Sequence, residues 1–262
     1  MSDALPSYFT HLAPFRQLFA TGVPILTYHK FGPRPRGTRL RGLHLPTALF
    51  RQQLEELRAD GCGSASVGDA LTASGAKRIV LTIDDGFRSV REEALPLLQA
   101  SGFQATLYLV ADRLGGWNDW ETAQGEAAAR LMDVAEVKEW IAAGQRIGAH
   151  SLTHPWLTRL SIDAAREEIR ACRARLEDLF GLPVLDFCYP YGAWNRTLRD
   201  EVEAAGYRTA TTTDFGVNPA GTDPFALRRI TARHASRSIR NVRGWWGRWW
   251  NRLRGSHRAA DP

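Results

Sequence analysis

Three cysteines in 262 residues, Cys62, Cys172 and Cys188, are too few and too scattered for a disulfide framework, and their number is odd. A reducing compartment is the expectation. No apolar run approaches the ~20 residues of a bilayer span, and Met1 to Thr10 lacks a basic stretch leading into an apolar core. Neither a membrane-spanning helix nor a signal peptide is expected, and a cytoplasmic location follows. Short-period repeats and low-complexity tracts are also missing. What is present, 44% hydrophobic and 24% charged residues, is ordinary for a globular chain able to bury a substantial core.

The apolar pattern alternates between short buried runs and helical spacing. Strands are expected at Val23–Tyr28, Ile79–Ile83, Ala105–Val110, Arg146–Ala149, Leu185–Tyr189, Tyr207–Thr212 and Ala226–Ile230. Helices fall between most of them: one around Phe50, Leu54 and Leu57, one around Val90 to Leu98, one around Val134 to Ile141. A longer one begins after Ser161 and stops at Gly181. Six or seven β-then-α repeats without a break in composition predict one α/β domain with parallel strands. Segments 30–45 and 111–130, rich in Gly and in Arg or Trp, are expected to be long loops, which are more often functional than decorative. Residues 1–22 are expected to form a helical lead, 23–235 the barrel domain, and 236–262 a separate tail.

The residues directly after the strands carry the chemistry. They are His29, the pair Asp84-Asp85 before Gly86, His150, and Tyr189-Pro190-Tyr191-Gly192. Strand carboxyl ends are where α/β folds bind ligands, and in a closed barrel they form one rim. Taken singly, each has a bland reading: Asp-Asp-Gly as a turn, His150 and His154 as surface or core histidines, the YPYG stretch as an ordinary strand-to-helix loop. Taken together they converge. Two imidazoles four residues apart plus one carboxylate from another strand form a recognised catalytic zinc set, suitable also for other divalent transition metals. If extended geometry holds to the strand end, Asp84 and Asp85 point apart and divide two tasks, holding a cation and moving a proton.

Thr82-Ile83-Asp84-Asp85-Gly86, His150-Ser151-x-x-His154 and Tyr189-Pro190-Tyr191-Gly192, in that order, resemble the polysaccharide deacetylases of the NodB-homology type (carbohydrate esterase family 4). The resemblance runs from about Val23 to about Arg233. It implies a distorted (β/α)7 TIM-like barrel and metal-dependent removal of N-acetyl groups from an amino-sugar-containing glycan, polymeric or lipid-linked. It implies that Asp85, His150 and His154 hold a divalent metal, Zn2+ foremost, with Co2+, Ni2+ and Mn2+ as options. Asp84 would be the general base, and the Tyr191 backbone N–H would stabilise the oxyanion. The family often pairs its base with an arginine where this chain has Cys188, so the base lacks that neighbour unless Arg88 or Arg229 substitutes, and this departure is the best support for a non-catalytic reading. For the general acid the resemblance offers His29, favoured, or His234. The rival from another class is a non-catalytic carbohydrate-binding or scaffold protein that kept the barrel.

Ten arginines and a single acid lie between 228 and 262, while the rest of the chain is mildly acidic. Within this tail Ile239, Val242, Trp245, Trp246, Trp249, Trp250 and Leu253 fall on one helical face with arginines around the other. A C-terminal amphipathic helix is expected over 239–254, lying on an anionic membrane at the inner face or packing its tryptophans on the barrel. Nucleic-acid binding is the least favoured reading of this stretch.

Overall fold

A computed structural model describes residues 5–72, 77–123 and 125–233. Seven parallel strands close a barrel: β1 (Ile25–Tyr28), β2 (Arg78–Ile83), β3 (Ala105–Leu109), β4 (Arg146–Ala149), β5 (Asp186–Cys188), β6 (Thr209–Phe215) and β7 (Leu227–Thr231). Each pairs with the next, and β1 closes the ring by pairing with both β7 and β2. A two-residue strand, Gly63–Ser64, lies outside the ring on the start of β2. The strands read as continuous apolar runs because helices cover their outer surface; every residue of β1 and β3 is buried. All seven expected strands exist, with ends shifted by a few residues.

Helices α1 (Thr47–Ala59), α2 (Leu95–Ser101), α3 (Val134–Ala142), α4 (Ile162–Phe180) and α5 (Arg196–Ala204) wrap the barrel. Their limits are local. Asp133 and Glu136 form a reciprocal capping box at the start of α3. Ser161 accepts from the Ala164 N–H at the start of α4, and Gly181, at φ 65°, ends it. Within the expected N-terminal lead, Phe9, Leu12 and Phe15 are buried in the main core, and Phe9 exchanges backbone hydrogen bonds with Thr231 and Arg233. Both expected loops carry short structure. Lys30–Phe31 pairs with His44–Leu45 as a miniature ribbon, and Asp119–Thr122 forms one helical turn. The expected C-terminal helix lies outside the described residues.

Register decides where the strand-end residues meet. Tyr28 is opposite Ile83, Leu109 opposite Ala149, and Ala149 opposite Phe187. The next residues on those strands, His29, Asp84, His150 and Cys188, therefore stand at one level of the same rim.

Candidate active site

Extended geometry stops at Asp84. Asp85 takes φ 76° and Gly86 φ 78°, so the chain leaves the barrel through two left-handed residues, and this turn separates the two carboxylates. The non-glycine residues with positive φ among the described residues are Asp85, Ser151, His154 and Tyr191, all within the three sequence motifs. Such positions cost about 1–3 kcal/mol each and persist where surrounding structure over-determines them. A short π-helical segment, Val90–Ala94, follows the aspartate turn.

Asp85 Oδ1 lies 3.4 Å from Nε2 of His150 and 3.4 Å from Nε2 of His154, and all three side chains are buried. Nδ1 of His150 hydrogen-bonds the Cys188 carbonyl at 2.8 Å. A carbonyl only accepts, so Nδ1 carries a proton; Nε2 donates to Asp85 when the ring is charged and offers its lone pair at the same point when the ring is neutral. Burial disfavours charge on His150, but its contacts with Cys188 and Asp85 and the nearby Asp84 carboxylate more than offset it and push its pKa well up. Burial likewise works against the Asp85 anion, yet hydrogen bonds from both imidazoles hold its carboxyl well below the usual range. The site thus draws positive charge to the point where three donors converge. One carboxylate oxygen and two imidazole nitrogens, with open positions left over, suit a divalent transition metal such as Zn2+. Asp84, His150 and Cys188 also cluster, but Arg229 already occupies Asp84 and carries its charge into that space, so a second cation does not fit there.

Asp84 has a different partner. Arg229, on β7, grips it with a two-pronged fork, Nη1–Oδ1 and Nη2–Oδ2 both 2.8 Å. The guanidinium is itself fixed by the Thr212 carbonyl (2.7 Å), Thr82 Oγ1 (3.2 Å) and Cys188 Sγ (3.2 Å). Burial alone would raise the Asp84 pKa; Arg229 and the nearby imidazoles outweigh it and lower it. Arg229 therefore fills the role vacated at Cys188. Arg88 does not, being paired with Glu92 and Glu136 instead. His29 Nε2 stands 3.7 Å from Asp84 Oδ2. Its pKa is lowered, because burial outweighs the attraction of Asp84 and Asp85. His234 lies outside the described residues.

Tyr191 tops the turn Pro190–Gly192, at φ 60°. Its ring meets His154 edge-on at 4.6 Å and stacks on Trp156 at 4.1 Å with 4° between the planes. Gly192 is required here, since a side chain would run into Thr213. Trp120, from the loop 111–130, stacks on the other side of His154 at 4.6 Å. The sequence reading did not single out Trp120, Trp156 or Glu168. From α4, Glu168 Oε2 accepts the backbone N–H groups of Leu152 and Thr153, both at 2.9 Å, and so holds the loop between the two histidines. No short motif announces it; only the docking of α4 brings it there.

The family model for polysaccharide deacetylase matches residues 72–210, more than half of the chain, which therefore belongs to that family. The match contains Asp84, Asp85, His150, His154 and Tyr191, and excludes His29 and Arg229. Among relatives, YxkH of Bacillus subtilis (strain 168), provisionally named a polysaccharide deacetylase, is 24% identical over 214 residues, 79% of this chain and 70% of its own length. The peptidoglycan-N-acetylglucosamine deacetylase PgdA of Listeria monocytogenes is 23% identical over 171 residues, 65% of this chain but 32% of PgdA. Among solved structures, the Streptococcus pyogenes deacetylase PplD in complex with acetate superposes with a TM-score of 0.70 at 25% identity, covering 81% of this chain and 92% of PplD. Family and fold together define a carbohydrate deacetylase.

Proposed function

We propose that this protein is a metal-dependent hydrolase that removes N-acetyl groups from an amino-sugar-containing glycan. The observation that carries the reading is the convergence of Asp85, from the end of β2, with His150 and His154, from the loop after β4, on one buried point. A divalent cation held there, Zn2+ in the first instance, would polarise the amide carbonyl and make water acidic enough to attack near neutral pH. Arg229 uses one lone pair on each Asp84 oxygen, and the remaining lone pairs let Asp84 serve as general base. His29, neutral at rest and 3.7 Å from Asp84 Oδ2, receives the proton and donates it to the departing amine nitrogen. The Tyr191 N–H donates to the oxyanion, while the Tyr191 and Trp120 rings wall the sugar pocket.

A lipid-linked saccharide at the inner face of the membrane is the substrate we favour. The composition of 239–254, rich in tryptophan and arginine, supports this. Among the described residues no helix is long and apolar enough to cross a membrane. The non-catalytic alternative drew its best support from Cys188, and Arg229 removes that support. Elemental analysis of the purified chain, followed by acetate release from N-acetylglucosamine oligomers and lipid-linked acetamido sugars, is the test. About one equivalent of metal with acetate release is expected; a chain that binds metal but frees acetate from none of these would leave a binding protein.

A further inference from the structure

The loop from Lys30 to Leu45 contains Lys30, Arg34, Arg36, Arg39 and Arg41 and no carboxylate. It begins one residue after His29, on the rim that carries the site. Lys30 is buried and committed to Glu121 at 2.5 Å. Arg34, Arg36 and Arg41 are exposed, and no carboxylate of the described residues pairs with them. Many arginines on the helical flank are placed differently: Arg88, Arg91, Arg166, Arg173 and Arg199 each face a carboxylate.

The loop is also pinned. Glu126 Oε2 accepts the N–H groups of Arg39 (2.8 Å) and Leu40 (2.6 Å), Ser89 Oγ accepts from the Phe31 N–H (3.2 Å), and Leu45 closes on Gly32 (3.1 Å). Its cations are presented from a held backbone. The described chain ends against the same loop, with the Arg233 guanidinium so close to Gly42 that a side chain there would strike it. From that point the sequence continues with seven arginines, four tryptophans and one acid. The cationic stretch 30–45 and the last described residue, Arg233, thus meet at one rim.

We propose that this rim lies against an anionic lipid surface, with Arg34, Arg36 and Arg41 contacting headgroup phosphates, so that the site opens toward glycans presented on the membrane. The proposal concerns binding and stands apart from the hydrolytic reading. A cation near such a surface contributes on the order of a factor of five in partitioning, and three of them about a hundredfold. Flotation of the full chain with phosphatidylglycerol vesicles and with phosphatidylcholine vesicles tests it. The wild type should float with the first and remain soluble with the second. The triple variant Arg34→Glu/Arg36→Glu/Arg41→Glu should bind phosphatidylglycerol about a hundredfold more weakly or worse. A control with the same charge change on the flank, Arg51→Glu/Arg58→Glu/Lys138→Glu, should lose far less, with thermal melts certifying that both variants are folded. Equal binding by the two triples would overturn the proposal. So would a wild type that ignores anionic vesicles, including one that instead takes up a single-stranded oligonucleotide through the same arginines.

Discussion

Asp84 and Asp85 are adjacent in sequence and buried side by side, yet they live in opposite surroundings. Asp85 faces two imidazoles that become ligands when neutral. Asp84 faces a guanidinium that is never neutral. The left-handed backbone of Asp85 separates a cluster of three groups that could hold a cation from a carboxylate already paired with one. A carboxylate becomes a metal ligand or a proton acceptor according to what the fold brings opposite to it.

The comparison breaks most sharply by exchanging which carboxylate is removed. Asp85→Ala takes away a third of the donor set, and both metal content and acetate release should fall to background. Asp84→Asn should keep a full equivalent of metal and lose roughly 10²–10⁴ in kcat, the usual span for a missing general base. Elemental analysis beside steady-state kinetics reads both. Should the two variants lose metal equally, the division of labour is wrong.

Next in size is the fork itself. Arg229→Gln leaves Asp84 buried with its charge unpaired, at a cost of about 3–5 kcal/mol in stability. The sign with pH distinguishes this from general damage. In the wild type the Asp84 pKa is lowered, so its contribution is lost as pH falls through that value. In the variant burial acts without the main opposing charge, Asp84 takes up a proton at higher pH, and the deficit should shrink on acidification. Denaturant midpoints at neutral and acid pH measure it. The double variant Asp84→Asn/Arg229→Gln should recover much of the loss. A deficit that stays constant with pH would place the damage elsewhere.

The two pockets also differed in how far they could be read before folding. Asp85 and His150 were legible because they stand within two residues of the end of a recognisable apolar strand, and His154 because it follows His150 by four residues; parallel register puts the strand ends on one level. The barrel was legible because every strand contains a short buried stretch. Arg229 was only half legible. An arginine inside an apolar strand is a signal, but whether it reaches across to β2 depends on the closing of β1 against β7. Trp120 and Glu168 carried no signal, since one sits on a single helical turn within a long connection and the other on a polar-looking face of α4. The alternation expected for the two aspartates missed the cause of their separation, which is the turn at Asp85.

The smallest effect belongs to the shell around the fork. Thr82 Oγ1 accepts from Arg229 Nη1 at 3.2 Å and donates to the Leu26 carbonyl at 2.9 Å, both buried. Thr82→Val keeps the shape and removes the hydroxyl, costing about 1 kcal/mol in stability. Because the fork to Asp84 remains, its arginine loses one brace rather than its partner, and kcat should drop only several-fold. Metal affinity should not move, since Thr82 touches nothing on the Asp85 side. Metal titration beside kcat checks this. A change in affinity as large as the change in kcat would mean that the two carboxylates are coupled through β2 and do not act as separate sites.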